Sequence, residues 1–269
     1  MPSQDTTIEV AGRRLSYLAA GDDGPPVLLL HGFGADRLTW LLTQRDVAAY
    51  ASTIAIDLPG HGLSDREVGA GDIASFTDLV AGFQKARGTG PVHVIGHSLG
   101  GAIAIDLAHR HPELVSSLFL LAPAGVGNGV DETFLTALTG METLDQASSV
   151  LERLVARRRL ISPQMTARAL AQISEPGVRE ALNKVAGNLR GAHLDLADAV
   201  SGVAGRGIPV TVVWGAGDTV NPLTEDSAKA LGAILHVVED AGHLPHIESH
   251  AKVNALIRAF LTGGDGAGA

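Results

Sequence analysis

Five residues, Gly96-His97-Ser98-Leu99-Gly100, stand between a short β-branched run, Val92–Ile95, and an alanine-rich stretch, Gly101–His109. A serine at a tight strand-to-helix turn sits in a strained backbone conformation that lifts its hydroxyl above the sheet edge. Small residues two positions to either side are needed there because strand and helix backbones crowd. The helix start also sets unpaired N–H groups and the positive end of a helix dipole beside the hydroxyl. Ser98 is therefore the candidate nucleophile. In a chain with 33 glycines among 269 residues a Gly-x-Ser-x-Gly can arise by chance, but chance rarely supplies the preceding strand and the following helix as well.

A serine hydroxyl is a poor nucleophile near pH 7 without a base in reach. Of the eleven histidines, His243 in Ala241-Gly242-His243-Leu244-Pro245 falls in a loop between the strand-like Ile234–Val238 and a final helix, where a base would descend on the serine. Asp218 directly follows the strand-like Val210–Trp214. Strand-end loops collect functional residues in open α/β sheets, so Asp218 is the carboxylate expected to fix the His243 tautomer and stabilise its imidazolium. Glu239 and Asp240 are nearer in sequence but end their own strand, and Ala122-Pro123-Ala124-Gly125 after Leu118–Leu121 offers no acid.

A tetrahedral intermediate needs two N–H donors aimed at its oxygen. Leu99 supplies one backbone N–H, and Phe33 in His31-Gly32-Phe33-Gly34-Ala35 supplies the other, its flanking glycines letting the loop turn inward. Trp40, close to that loop, is expected either to line the pocket as a substrate contact or to pack in the core, and Arg190 to meet a carboxylated substrate if there is one. His246 and His250 have helical spacing but no third ligand at a telling distance, so no metal is expected. His109 and His111 read as helix-end residues, and His97 fills a variable slot with no chemistry assigned.

The elements that must position these residues alternate. Short apolar runs at Val27–Leu30, Thr53–Asp57, Val92–Ile95, Leu118–Leu121 and Val210–Trp214 are separated by helical patterns such as Ile73–Arg87. That order predicts an α/β fold with a mostly parallel sheet covered on both faces. Thr6–Val10 and Arg13–Ala19 read as an antiparallel hairpin around Ala11-Gly12. Strand signals stop between about Ala124 and Arg206, where Leu135, Leu138, Met141, Leu144, Val150, Leu151, Leu154 and Val155 suggest inserted helices. Val253, Leu256, Ile257 and Phe260 mark a last helix, followed by a tail, GGDGAGA, expected to fray.

Composition narrows the function classes. The net charge of −9 and the 4% aromatic content disfavour a nucleic-acid surface. Without cysteine there is no disulfide, thiol nucleophile or thiolate metal site. The opening MPSQDTTIEV has neither a basic start nor an apolar core, and no apolar run nears the roughly 20 residues of a membrane helix. A cytoplasmic protein with no membrane or nucleic-acid partner is expected, its oligomeric state open.

The order Ser98, Asp218, His243 is that of one fold in particular, and across nearly its whole length the sequence resembles the α/β-hydrolase superfamily. Asp57-Leu58-Pro59-Gly60-His61-Gly62-Leu63-Ser64 looks like that family's loop after the fourth strand, where Asp57 would pin a turn, and GHLPHIESH looks like its histidine loop. VHVIGHSLGG, APAGVG and the stretch around Ile161–Met165 are similar to the hydrolase-like domain of the acetoin dehydrogenase acyltransferase component. The resemblance implies an eight-stranded core from residues 1–125 and 207–269 with a helical lid at 126–206. It also implies a serine hydrolase acting on an ester, thioester or related small acyl substrate with no cofactor. Carbon–carbon bond hydrolysis of the meta-cleavage type and acyl transfer are the alternatives within enzymes. A non-catalytic receptor is the reading from another class, disfavoured by the intact Ser, Asp and His set.

Overall fold

The computed structural model describes residues 6–127, 129–191, 194–224 and 229–263. The first five residues of the opening segment, and all but the first glycine of the expected tail, lie outside them. Eight strands form one sheet: β1 (Thr6–Val10), β2 (Arg13–Ala20), β3 (Pro26–Leu30), β4 (Ser52–Ile56), β5 (Val92–His97), β6 (Val115–Leu121), β7 (Val210–Gly215) and β8 (Ile234–Val238). Their spatial order is β1-β2-β4-β3-β5-β6-β7-β8. β1 pairs antiparallel with β2 and β2 with β4, and every later pairing is parallel. The hairpin turns through Ala11 (φ 49°) and Gly12 (φ 74°), the two positive angles that match the twist of the flanking strands.

The central strands are apolar on both faces because both faces are covered. Successive side chains divide between two cores, as a period of two requires. Leu28, Leu30, Leu118, Leu120 and Val212 pack with α2 (Ile73–Arg87) and α3 (Leu99–Arg110). Leu29, Phe119, Leu121 and Val213 pack on the other face with α1 (Leu41–Val47) and the last helix.

Between β6 and β7 come α4 (Glu132–Gly140), α5 (Leu144–Glu152), α6 (Pro163–Ser174), α7 (Val178–Asn188) and α8 (Ala197–Gly205). Two details differ from the sequence reading. Leu144, expected on the apolar stripe, is 54% exposed. The chain leaves α4 at Met141, and a new capping box from Thr143 and Gln146 restarts the helical phase at Leu144. α8, inside the segment expected to form the lid, packs instead against α3. A Cβ on Gly202 would lie 2.2 Å from Nδ1 of His109, so a glycine in mid-helix allows this close contact on the sheet side. The last elements are α9 (Pro245–Glu248) and α10 (His250–Thr262). Among the described residues no helix is long and apolar enough to cross a membrane.

Candidate active site

Ser98 joins β5 to α3 at φ 50°, ψ −113°, a conformation costly for a residue with a Cβ. The surroundings hold it. Ser98 N–H donates to the Leu121 carbonyl at 3.0 Å, and the Ser98 carbonyl accepts from Ala102 N–H at 3.1 Å and Ala124 N–H at 3.0 Å. The bond from Ala102 closes the first helical turn on the serine itself, so α3 begins two residues before the expected Gly101. A Cβ on Gly96 would stand 2.5 Å from the Gly100 carbonyl oxygen, and one on Gly100 would stand 2.2 Å from that of Leu30. These contacts are the crowding that the two flanking glycines relieve.

His243, 3% exposed, donates from Nδ1 to Asp218 Oδ2 at 2.7 Å. An ionised carboxylate only accepts, so this bond puts the proton on Nδ1 and leaves Nε2 as a basic lone pair. Asp218 is itself fixed, because Oδ1 accepts the N–H groups of Val220 and Asn221, both at 2.9 Å. The histidine loop lies directly on β7: a Cβ on Gly215 would fall 2.1 Å from the Gly242 carbonyl oxygen. His97, given no chemistry from the sequence, donates from Nε2 to the His243 carbonyl at 2.8 Å. Its ring lies 4.8 Å from those of both His243 and His246. Burial and the neighbouring imidazoles push its pKa well down. Glu239 and Asp240 are exposed, in keeping with their reading as the end of β8.

The loop after β3 presses against the serine. A Cβ on Gly32 would lie 3.2 Å from the Ser98 Cβ and 2.6 Å from His97 Nδ1. His31 braces this loop: its Nε2 accepts Leu58 N–H at 2.9 Å and its Nδ1 donates to the Gly32 carbonyl at 2.8 Å. Complete burial lowers its pKa to about 4. Asp57 accepts the N–H groups of Arg37 at 2.7 Å and Leu63 at 2.8 Å, and pairs with the Arg37 guanidinium. It therefore ties the loops after β3 and β4 together.

Ser98, His243 and Phe33 border one cavity of about 320 Å³, roofed by side chains from α4, α5, α6 and α7. Leu99 is buried with its backbone at the N-terminus of α3. Two expected substrate contacts are elsewhere. Trp40 is fully buried in the opposite-face core, its ring 4.7 Å from that of His246, and does not border the cavity. The short helical turn Arg37–Trp40 aims its large side chain down into the sheet layer. Arg190 lies outside the cavity wall and donates to Thr136 Oγ1 at 2.9 Å. At the end of α7 it is Leu189 that faces inward, and the next residue is rotated about 100° away.

The arginine that does border the cavity is Arg168 on α6, ion-paired with Asp36. Its signal was in the sequence: Met165, Arg168, Ala169 and Gln172 share one face at helical spacing. Among the described residues no group of three His, Asp or Glu side chains is placed to hold a metal ion. His246 is buried beside Trp40, whereas His250 is exposed.

A family model described as alpha/beta hydrolase family matches residues 27–256. Over 255 residues the chain is 33% identical to the dihydrolipoyllysine-residue acetyltransferase component of the acetoin cleaving system of Cupriavidus necator, covering 95% of this chain and 68% of that one. It is 28% identical to the 2-hydroxymuconate semialdehyde hydrolase of Pseudomonas sp. strain CF600, over 99% of this chain and 96% of that one. The solved structure of a meta-cleavage product hydrolase from Pseudomonas fluorescens IP01 superposes with a TM-score of 0.85 at 25% identity, covering 97% of this chain and 98% of that one.

Proposed function

Since the chain belongs to the alpha/beta hydrolase family, we propose that it is a serine hydrolase cleaving an ester, thioester or related acyl bond through Ser98, His243 and Asp218. The observation that carries this reading is the buried His243–Asp218 bond of 2.7 Å in the wall of a cavity shared with Ser98. In this mechanism His243 Nε2 takes the Ser98 proton as Oγ attacks the carbonyl carbon, and Asp218 stabilises the imidazolium. The backbone N–H groups of Phe33 and Leu99 hold the oxyanion, each worth about 3–4 kcal/mol in the transition state. His243 then protonates the leaving alcohol or thiol. Water, deprotonated by the same imidazole, attacks the acyl-serine, releases the acid and restores Ser98.

The test is turnover of p-nitrophenyl esters of increasing acyl length by wild type and Ser98→Ala. Loss of about 10⁶ in kcat is expected, the scale reported when a triad serine is removed, and equal rates in the two proteins would overturn the assignment. Similarity along almost the full length of the 2-hydroxymuconate semialdehyde hydrolase favours a second reading, hydrolysis of a carbon–carbon bond by the same residues. Turnover of a meta-cleavage diketone faster than of any ester would establish that reading in place of the first. Similarity to the acetoin-system component keeps acyl transfer in view, and thioester product formed with added dihydrolipoamide would reveal it.

A further inference from the structure

We propose that the ion pair between Asp36 and Arg168 makes the cavity select uncharged acyl groups and turn away those that end in a carboxylate. This rests on the serine-hydrolase reading and names its substrate class. Around Ser98 the roof is apolar, built from side chains such as Leu135, Leu138, Ile173 and Leu182. Among the described residues that border the cavity, Arg168 is the only Arg or Lys and Asp36 the only carboxylate.

The two charges cancel one another, and one of them cannot move. Asp36 is buried and caps the turn Arg37–Trp40, its Oδ1 accepting Leu38 N–H at 2.8 Å. Its Oδ2 accepts from the Arg168 guanidinium, which reaches across from α6. A carboxylate arriving with the substrate must compete for the half-exposed Arg168 guanidinium with Asp36, whose side chain is only 10% exposed, or stay unpaired among leucines. Either outcome weakens the compensation of a charge held largely out of water. A neutral acyl chain incurs neither cost and gains from burial against the roof.

Burial keeps two histidines of the wall, His61 and His97, from adding positive charge. His61 borders the cavity, donates from Nδ1 to the Pro59 carbonyl at 2.9 Å, and is held by burial at a pKa of about 3. It presents a neutral ring to the substrate at any ordinary assay pH. The same ion pair fastens the roof helix α6 to the loop that carries Phe33, so a substrate that broke it would also disturb a proposed oxyanion donor.

The experiment compares p-nitrophenyl hexanoate with mono-p-nitrophenyl adipate, which share a leaving group and a six-carbon chain and differ in a terminal carboxylate. Wild type should favour the hexanoate at least 100-fold in kcat/KM. Asp36→Asn, which retains a capping oxygen but loses the charge, frees Arg168 and should shrink that ratio at least tenfold through faster cleavage of the adipate ester. Asp36→Ser provides the same test with a different capping side chain should the asparagine variant fold poorly. Adding Arg168→Gln should abolish the gain. Where turnover is slow, the labelling rates of Ser98 by alkyl and ω-carboxyalkyl fluorophosphonates report the same ratio.

A wild-type ratio within threefold of unity, or a folded Asp36 variant with the wild-type ratio, overturns the proposal. If Ser98 is labelled and the carboxylated probe is preferred, this inference alone fails. If neither ester is cleaved and neither probe labels Ser98, the serine-hydrolase reading fails and takes this one with it.

Discussion

At residue 32 a missing methyl group sets how near the loop after β3 comes to Ser98. Alanine there would put a Cβ 2.6 Å from His97 Nδ1 and 3.2 Å from the Ser98 Cβ, so the loop must withdraw by some tenths of an ångström or His97 must turn. Either movement displaces the Phe33 N–H from the oxygen it is proposed to hold. Misplacing one such donor is worth about 10²–10³ in kcat. Gly32→Ala is therefore expected to lose about that factor in kcat with KM little altered, while the crowding itself costs about 1–3 kcal/mol of stability. Steady-state kinetics with an ester substrate, paired with a thermal melt, checks it, and an unchanged kcat would remove Phe33 from the mechanism. Gly100 is different in kind. Its Cβ would meet the Leu30 carbonyl oxygen at 2.2 Å, a backbone contact that no rotamer can relieve.

Among the elements, the joint between the helical insertion and the histidine loop is made by one buried carboxylate. Glu248, at the end of α9, accepts Gly242 N–H with Oε1, and with Oε2 accepts the N–H groups of Ala156 at 3.0 Å and Arg157 at 3.1 Å. The Arg157 guanidinium returns to the Glu248 carbonyl. A residue next to His243 is thus tied to the segment that follows α5. In Glu248→Gln the amide NH₂, if turned toward Ala156 and Arg157, faces two donors and leaves both unpaired, and the flipped amide leaves Gly242 unpaired instead. At about 1 kcal/mol for each partly buried group, the loss of stability should be roughly 1–2 kcal/mol, or about 5 °C in Tm. Scanning calorimetry of Glu248→Gln measures it, and an unshifted Tm would show that this joint adds no net stability.

For the whole molecule, the buried histidines predict acid lability. His31 is held at about 4, and His61 and His246 at about 3, in each case chiefly because burial disfavours the charged ring. In the unfolded chain they titrate near about 6.5. Between that value and the folded ones the unfolded state binds more protons, so stability rises with pH through this window and is lost as pH falls from about 6.5 toward 4. Above the window these rings contribute no slope. Each contributes up to about 1.4 kcal/mol per pH unit where it is protonated only when unfolded, which is large against a total of roughly 5–15 kcal/mol. Urea midpoints should accordingly fall steeply from pH 6.5 to 4.5 and stay level from pH 7 to 8. His246→Gln should flatten the acid slope by about one proton. Equal midpoints at pH 7 and pH 5 would mean that the rings are not held neutral in the folded protein.

Much of this was legible in the sequence, because it depends on neighbours along the chain. Compact apolar runs ending at turn residues mark the central strands, and glycines two places either side of Ser98, between such a run and a helical stretch, mark the bend where strand runs into helix. The order of Ser98, Asp218 and His243 follows from where strands end. What lay beyond sequence reasoning was decided by docking between distant segments. Helical spacing places Arg168 on a face with Met165 and Gln172, but nothing local to the sequence says that this face meets Asp36, 132 residues earlier. For Trp40, close to the Phe33 loop, the sequence leaves pocket lining and core packing equally open, and one short helical turn directs it into the opposite core. α8 and α3 approach through Gly202, which no local pattern announces. Periodicity states which side chains share a surface. Which surfaces meet, and therefore which charges and rings become partners, is settled only by the tertiary packing that brings remote elements together.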